Sequence, residues 1–381
     1  MIGATDAPSL SSGLQPSTAT PVAGGQEQSE EHSPTATPTH LPLYLALAYV
    51  VLIVYASLYP FKWRDSGLSP LAYLDAAWPR YWTGSDLGIN IVAYVPLGFL
   101  LALTLRQVMS RWPAALLGLL LGALLSFCLE CLQTWLPARV PSNVDLACNT
   151  LGTALGAMVA AYAGKRIFRR IVQLQNEVLA PVPYAEFGVV LLGTWLLTQL
   201  SPETVLFGAG DLRSILGLTP AVPYAAPSFF VLETGVITCN SLAIGLFART
   251  LLNDHHMPYR TLAMFILLGL SIRTLGAAVL VTPQDALSWL TPGARLGLLI
   301  GGLLLWLMLL LPATLRIAVA GAALMAGTTL VNLTPSNPYS EAALAAWRQG
   351  HFLNFNGLTR WMASLWPFVT LPYLIALGRR L

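Results

Sequence analysis

The sequence predicts an all-α, polytopic integral membrane protein of about ten transmembrane helices, and three observations carry that expectation. Of the 381 residues, 55% are hydrophobic and 10% charged, against roughly 25% charged in soluble domains. Apolar runs near the length of a membrane span recur along the chain, where a bilayer requires about 20 mostly apolar residues. Lys and Arg gather unevenly in the short connections, and that asymmetry sets orientation.

Residues 1–40 are rich in Ser, Thr, Pro and Gly and hold no Lys or Arg. They lack the basic n-region and apolar core of a signal peptide, and are expected to form a disordered cytoplasmic tail. Ten apolar runs follow, at about Leu43–Tyr59, Gly88–Leu105, Ala114–Trp135, Leu146–Ala163, Phe187–Leu200, Phe229–Leu252, Leu262–Val281, Leu296–Leu311, Leu315–Val331 and Leu358–Leu377. The fifth is short. The eighth and ninth are divided by little more than Pro312, so they form either a tight hairpin or one disturbed segment.

The densest basic cluster is Lys165, Arg166, Arg169 and Arg170, after the fourth run. Placing it in the cytoplasm puts both termini inside, with 11 of the 20 Lys and Arg residues on cytoplasmic segments, 8 outside, and Arg273 within the seventh run. The expected location is the inner (cytoplasmic) membrane. Residues 41–165 then form a four-helix membrane domain, 166–183 a basic and polar cytoplasmic connector, and 184–381 a C-terminal membrane domain of about six helices. The net charge of +3 is small and its basic residues are scattered, which excludes the basic–aromatic surface that nucleic-acid binding needs. Cys128 and Cys131 spell C-x-x-C, but at the end of an apolar helix. Redox pairs sit at helix N-termini, so these read as packing residues.

Three polar clusters interrupt the first runs: Asp86 and Asn90 at the start of the second, Glu130 and Gln133 at the end of the third, then Arg139, Ser142, Asp145 and Asn149 leading into the fourth. Consecutive spans bring start, end and start to one membrane face, here predicted to be the outer one. At 100° per residue, Asp145, Asn149, Gly152 and Gly156 share one stripe. Gly118, Gly122 and Ser126 form a small-residue face on the preceding helix, suited to close packing in lipid. Packing these two faces together carries Glu130 and Gln133 towards Asp145 and Asn149, with Arg139 in the turn within reach of either acid. Pro96 loosens the second helix and frees a carbonyl that a neighbour or water must satisfy.

The ordered set Asn90, Val95-Pro96-Leu97-Gly98-Phe99, Glu130-x-x-Gln133, Arg139, Ser142-x-x-Asp145 and Asn149-x-x-Gly152-x-x-x-Gly156 resembles the VanZ-like membrane proteins over about residues 44–165. The resemblance implies a cell-envelope role and a link to low-level teicoplanin (glycopeptide) resistance, without an established biochemical activity.

Ionisable groups near hydrocarbon are costly and commonly functional, so the cluster reads as a ligand site rather than a knot fixing helix register. Arg139 suits a phosphate or carboxylate, and small-residue faces suit a lipid chain. The expected partners are the bilayer and a lipid-linked or anionic envelope ligand. One alternative is a proton-coupled transporter or flippase using these carboxylates. A third is a membrane hydrolase or transferase, with Glu130 or Asp145 as general base and Arg139 facing an oxyanion. The five histidines lie elsewhere, so metal ligation by Glu130 and Asp145 would suit only a hard cation such as Mg²⁺ or Ca²⁺, and neither a metal nor a cofactor is expected. In the C-terminal half, Glu233 and Arg273 fall on neighbouring runs and are a possible intramembrane pair. Asn354, Asn356 and Arg360 read as interfacial, and Trp347, Trp361 and Trp366 suit an aromatic belt.

Overall fold

The computed structural model describes residues 39–76, 84–201, 204–218, 222–253, 257–280, 286–335 and 353–380. Nearly all of the tail at 1–40, together with Trp347, lies outside the described residues, as do the side chains of Asp86, Asn354 and Asn356.

Each of the ten apolar runs is a helix. With one further short helix, α6, between the fifth and sixth runs, the described helices in chain order are α1 (Leu41–Leu58), α2 (Gly84–Leu105), α3 (Arg111–Gln133), α4 (Asn143–Val178), α5 (Ala185–Thr198), α6 (Leu212–Leu216), α7 (Ala226–Leu251), α8 (Pro258–Leu280), α9 (Pro292–Met308), α10 (Ala313–Leu333) and α11 (Leu353–Gly378). Among the described residues, eight helices are long and apolar enough to cross a membrane, and α5 and α9 are shorter apolar helices. The protein is all-α and polytopic. Pro312 stands immediately before α10, where a missing N–H costs nothing and the helix cannot continue backward. The eighth and ninth runs are therefore a hairpin.

One boundary differs from its sequence expectation. The connector predicted from 166 is helical as far as Val178, making α4 a single helix of 36 residues. At 1.5 Å per residue it is about 54 Å long, well beyond a hydrocarbon core of about 30 Å. Lys, Arg, Gln and Glu are good helix formers, so the helix continues where hydropathy stops.

Side-chain and backbone bonds at the helix ends establish an up-and-down order. The α1 start meets the α4 end and the α5 start: His40 N donates to Glu186 (2.8 Å), and Gln175 donates to the same carboxylate (2.8 Å). The ends of α4 and α7 are stitched together by Ala180 N to Leu251 O (2.9 Å) and Asn253 N to Val178 O (2.8 Å). At the opposite end, Asn332 closes α10 onto the segment before α6, donating to Gly210 O (2.7 Å) and accepting from Leu212 N and Arg213 N (both 3.2 Å).

The main buried core belongs to α5, α7, α10, α11 and the loop at 205–211, with Trp195, Phe207, Phe247 and Trp366 inside it. Trp366 is thus a core residue, its indole donating to Leu191 O (2.8 Å), and not part of an interfacial belt. Around α1–α4 the clusters are smaller. There the helices meet through glycine instead.

Candidate functional site

Gly98, Gly152 and Gly156 determine where the polar ends lie. A Cβ on Gly98 would run into the Thr153 carbonyl, one on Gly152 into the Ile91 carbonyl, and one on Gly156 into the Val95 carbonyl. These are backbone atoms that cannot swing aside, so α2 and α4 touch main chain to main chain. The α4 glycine stripe therefore packs on α2, where the sequence pattern pointed to α3. Helix α3 takes the next sector: Gly118 lies against Ala102 of α2, Gly122 against the Thr153 side chain, and Ser126 against Asn149.

This packing joins the polar residues in pairs. Asn90 Nδ2 donates to Asp145 Oδ1 (2.8 Å), linking α2 to α4. Asn149 Nδ2 donates to Ser126 Oγ (3.0 Å), linking α4 to α3, with the buried Tyr94 hydroxyl beside Ser126. The acceptor of the same amide, Asn149 Oδ1, is buried and has no partner among the described residues. Buried polar atoms are rarely left so.

Ser142 caps α4 by accepting from Val144 N (3.2 Å) and Asp145 N (3.4 Å). Ser-x-x-acid is the sequence pattern of a capping box, in which the acid reaches back to the cap's own N–H. Here Glu130 of α3 takes that N–H instead, with Ser142 N to Glu130 Oε2 at 2.8 Å. Asp145 is thereby released to Asn90, while its charge still lies in the favourable first turn of α4. Glu130 is only 4% exposed.

Arg139 and Gln133 turn the other way. Arg139 Nη2 donates to Ala56 O (2.6 Å) and Gln133 Nε2 to Ser57 O (3.1 Å), so both satisfy carbonyls in the last turn of α1. The end of a helix leaves such carbonyls without intrahelical donors. No ion pair within 4 Å joins Arg139 to Glu130 among the described residues, although the two interact electrostatically. Burial pulls the Arg139 guanidinium below its usual pKa and Glu130 partly restores it.

The connection between α1 and α2 folds over this end. Arg64 N bonds Trp135 O (2.8 Å), Asn143 Nδ2 bonds Ala76 O (2.8 Å), and Tyr73 is buried next to Cys131 and Glu130. Burial, then Cys131, raises the Tyr73 phenol above its ordinary pKa. Nothing in the sequence marks Tyr73, which stands in a connection of mixed composition without a spacing pattern. Pro96 lies inside α2, between one and two turns deeper than Asn90. Tyr49 of α1 donates to Ala93 O (2.8 Å), next to the Val92 carbonyl that Pro96 deprives of its donor.

Glu233 and Arg273 are not brought into an ion pair. Arg273 donates to the carbonyls of Ser201 and Thr204, just beyond the C-terminus of α5. Glu233 lies against Gly293 and beside Thr291 at the N-terminus of α9. Each charge has found the helix end of opposite polarity, which removes the need for the other. Among the described residues no group of three or more His, Cys, Asp or Glu side chains is arranged to hold a metal ion.

No curated protein matches the chain, and no solved structure matches it. Residues 31–168 match the family model described as VanZ/LLP1. That interval contains α1, α2, α3, most of α4 and every member of the polar cluster, and the chain thus carries a VanZ-like domain whose polar residues converge at one end of its helices.

Proposed function

We propose that the polar end of α2–α4 binds the phosphate or carboxylate of a lipidic envelope component, in an inner-membrane protein with both termini cytoplasmic and this end outward. The observation that carries the reading is Arg139. One guanidinium nitrogen anchors it to α1, and its planar fork keeps further donors for an anion. Glu130, Asp145 and Asn149 complement it as acceptors for headgroup hydroxyls. The teicoplanin link implied by the VanZ resemblance would follow if occupancy altered the surface that a glycopeptide meets. Residues 41–165 are the proposed ligand-binding unit, and 184–381 the supporting membrane domain.

A second reading, a proton-coupled flippase, is favoured by one feature: Glu130 is a buried carboxylate in a bundle of ten apolar helices. Reconstituted liposomes separate the two, since the flippase requires lipid flux that depends on a pH gradient and the binding protein gives none.

Mass spectrometry of lipids co-purifying with the full chain tests the leading reading. A phosphate-bearing lipid that disappears in Arg139→Ala supports it, and retention unaffected by that change contradicts it. Orientation is tested separately. A reporter active only in the cytoplasm should give signal when fused after Arg170 and none after Arg139. The reverse pattern would put the site on the cytoplasmic side.

A further inference from the structure

At the end of the bundle away from the polar cluster, α1, α5 and α11 leave an apolar groove of about 530 Å³, within the range of small-molecule sites. Tyr44, Tyr184, Phe187, Phe368, Val369 and Tyr373 line it. The Phe187 ring stands edge-on to Tyr44 (5.6 Å) and to Tyr373 (5.7 Å). The Tyr373 hydroxyl donates to Tyr184 O (3.2 Å), so one wall is pinned. The groove opens sideways, between helices that face lipid: Phe368 and Val369 are each 47% exposed.

Its rim is cationic. The Arg380 guanidinium lies 5.1 Å from the Tyr184 ring centre, and Arg379 beside it is exposed. The nearby acid, Glu186, forms no ion pair with either arginine among the described residues. Glu186 is engaged by Thr39 Oγ1 (2.5 Å), His40 N (2.8 Å) and Gln175 Nε2 (2.8 Å). Aromatic rings with a polar edge favour the boundary between hydrocarbon and headgroups, and basic side chains at that level attract anionic lipid.

We propose that this groove holds an acyl chain of an anionic glycerophospholipid, from the leaflet on the Lys165–Arg170 side, with its phosphate on Arg380 and Arg379. Arg380 can stack on Tyr184 and bond phosphate oxygens through the edge of its fork at the same time. This site is separate from the polar end and takes a bulk lipid of the opposite leaflet.

The test uses the full chain in nanodiscs of equal parts phosphatidylglycerol and phosphatidylcholine, extracted in mild detergent and weighed by native mass spectrometry. One phosphatidylglycerol per chain should be retained in preference to phosphatidylcholine. Arg379→Glu with Arg380→Glu should abolish the preference, with about a fivefold loss per arginine. Val369→Trp, which fills the groove from an exposed position, should lower retention of both lipids. Neither variant alters a site on the polar end, so the lipid lost in Arg139→Ala should remain. Equal retention of the two lipids by the unaltered chain, or retention indifferent to both variants, would overturn the proposal. Retention that appears only after removal of residues 1–38 would also overturn it, since the tail would then be the natural occupant.

Discussion

The first four helices meet chiefly through their backbones, whereas the helices after α4 surround a core of large side chains, with a glycine seam where Gly293, Gly297 and Gly301 of α9 rest on α7. Gly98, Gly152 and Gly156 bring α2 and α4 main chains together, and little bulky core lies between them. In the C-terminal region Trp195, Phe207, Phe247 and Trp366 fill the interior. The handling of charge differs in parallel. Thin glycine contacts let the ends of three helices approach closely enough for Asn90 to reach Asp145 and for Glu130 to reach the start of α4. In the C-terminal region the α9 glycines also admit a close contact with α7, but Glu233 and Arg273 are each satisfied alone, at a helix terminus. Close backbone packing is thus not sufficient for a shared polar site; at α2–α4 it is joined to polar side chains on three helix ends that meet at one level.

The comparison breaks most readily at its glycines. Gly156→Leu should abolish recovery of monodisperse protein, because the new side chain meets the Val95 carbonyl and the Phe99 amide. Overpacking commonly costs about 1–3 kcal/mol even where side chains can yield. Gly321→Ala in α10, where a Cβ would have only Leu371 Cδ1 at 3.5 Å, should be nearly neutral in a thermal melt. Similar losses at both positions would erase the distinction between glycines held against main chain and glycines in open contacts.

Next in size, Arg273→Met should lower stability by roughly 1–3 kcal/mol for each carbonyl left without a donor, read by thermal or denaturant unfolding. Lipid binding at the polar end should be unchanged. Lost binding at unchanged stability would mean that this arginine is functional rather than a support for the end of α5. Tyr49→Phe, which removes the bond to Ala93 O beside the proline, should cost about 1 kcal/mol. Smaller still is the coupling between Asn90 and Asp145. A double-mutant cycle should give about 0.6 kcal/mol, the usual size for hydrogen bonds between membrane helices, while the same cycle on Glu233 and Arg273 should give close to zero.

The helices themselves were legible, because a hydrocarbon span imposes about 20 apolar residues whatever the sequence otherwise does. The end of α4 was not, since hydropathy reports immersion and Lys165–Glu177 leaves the apolar layer without leaving the helix. Within the site, the stripe of Asp145, Asn149, Gly152 and Gly156 follows from helical geometry alone. Its partner does not: glycines on α2 and α3 look alike in sequence, and α2 takes the stripe because Gly98 is placed against Thr153. The acceptors of Arg139 and Gln133 are backbone carbonyls of α1, which every helix end offers and no side chain announces. Sequence spacing brought Glu233 and Arg273 onto neighbouring helices, but it carries no information on which helix termini stand nearer.

Glu130, Arg139 and Asp145 are proposed to serve one ligand. The most direct test is the amount of phosphate-bearing lipid retained by the purified full chain, compared among Arg139→Ala, Asp145→Ala, the double variant and Arg139→Lys at matched membrane levels. Residues acting on one ligand are non-additive. Each single alanine change should therefore remove the lipid and the double change should do no more. Lysine should fail to restore it, because one ammonium cannot hold the Ala56 carbonyl and also present a planar fork to an anion. Full retention with Arg139→Lys, or losses that add in the double variant, would contradict the account.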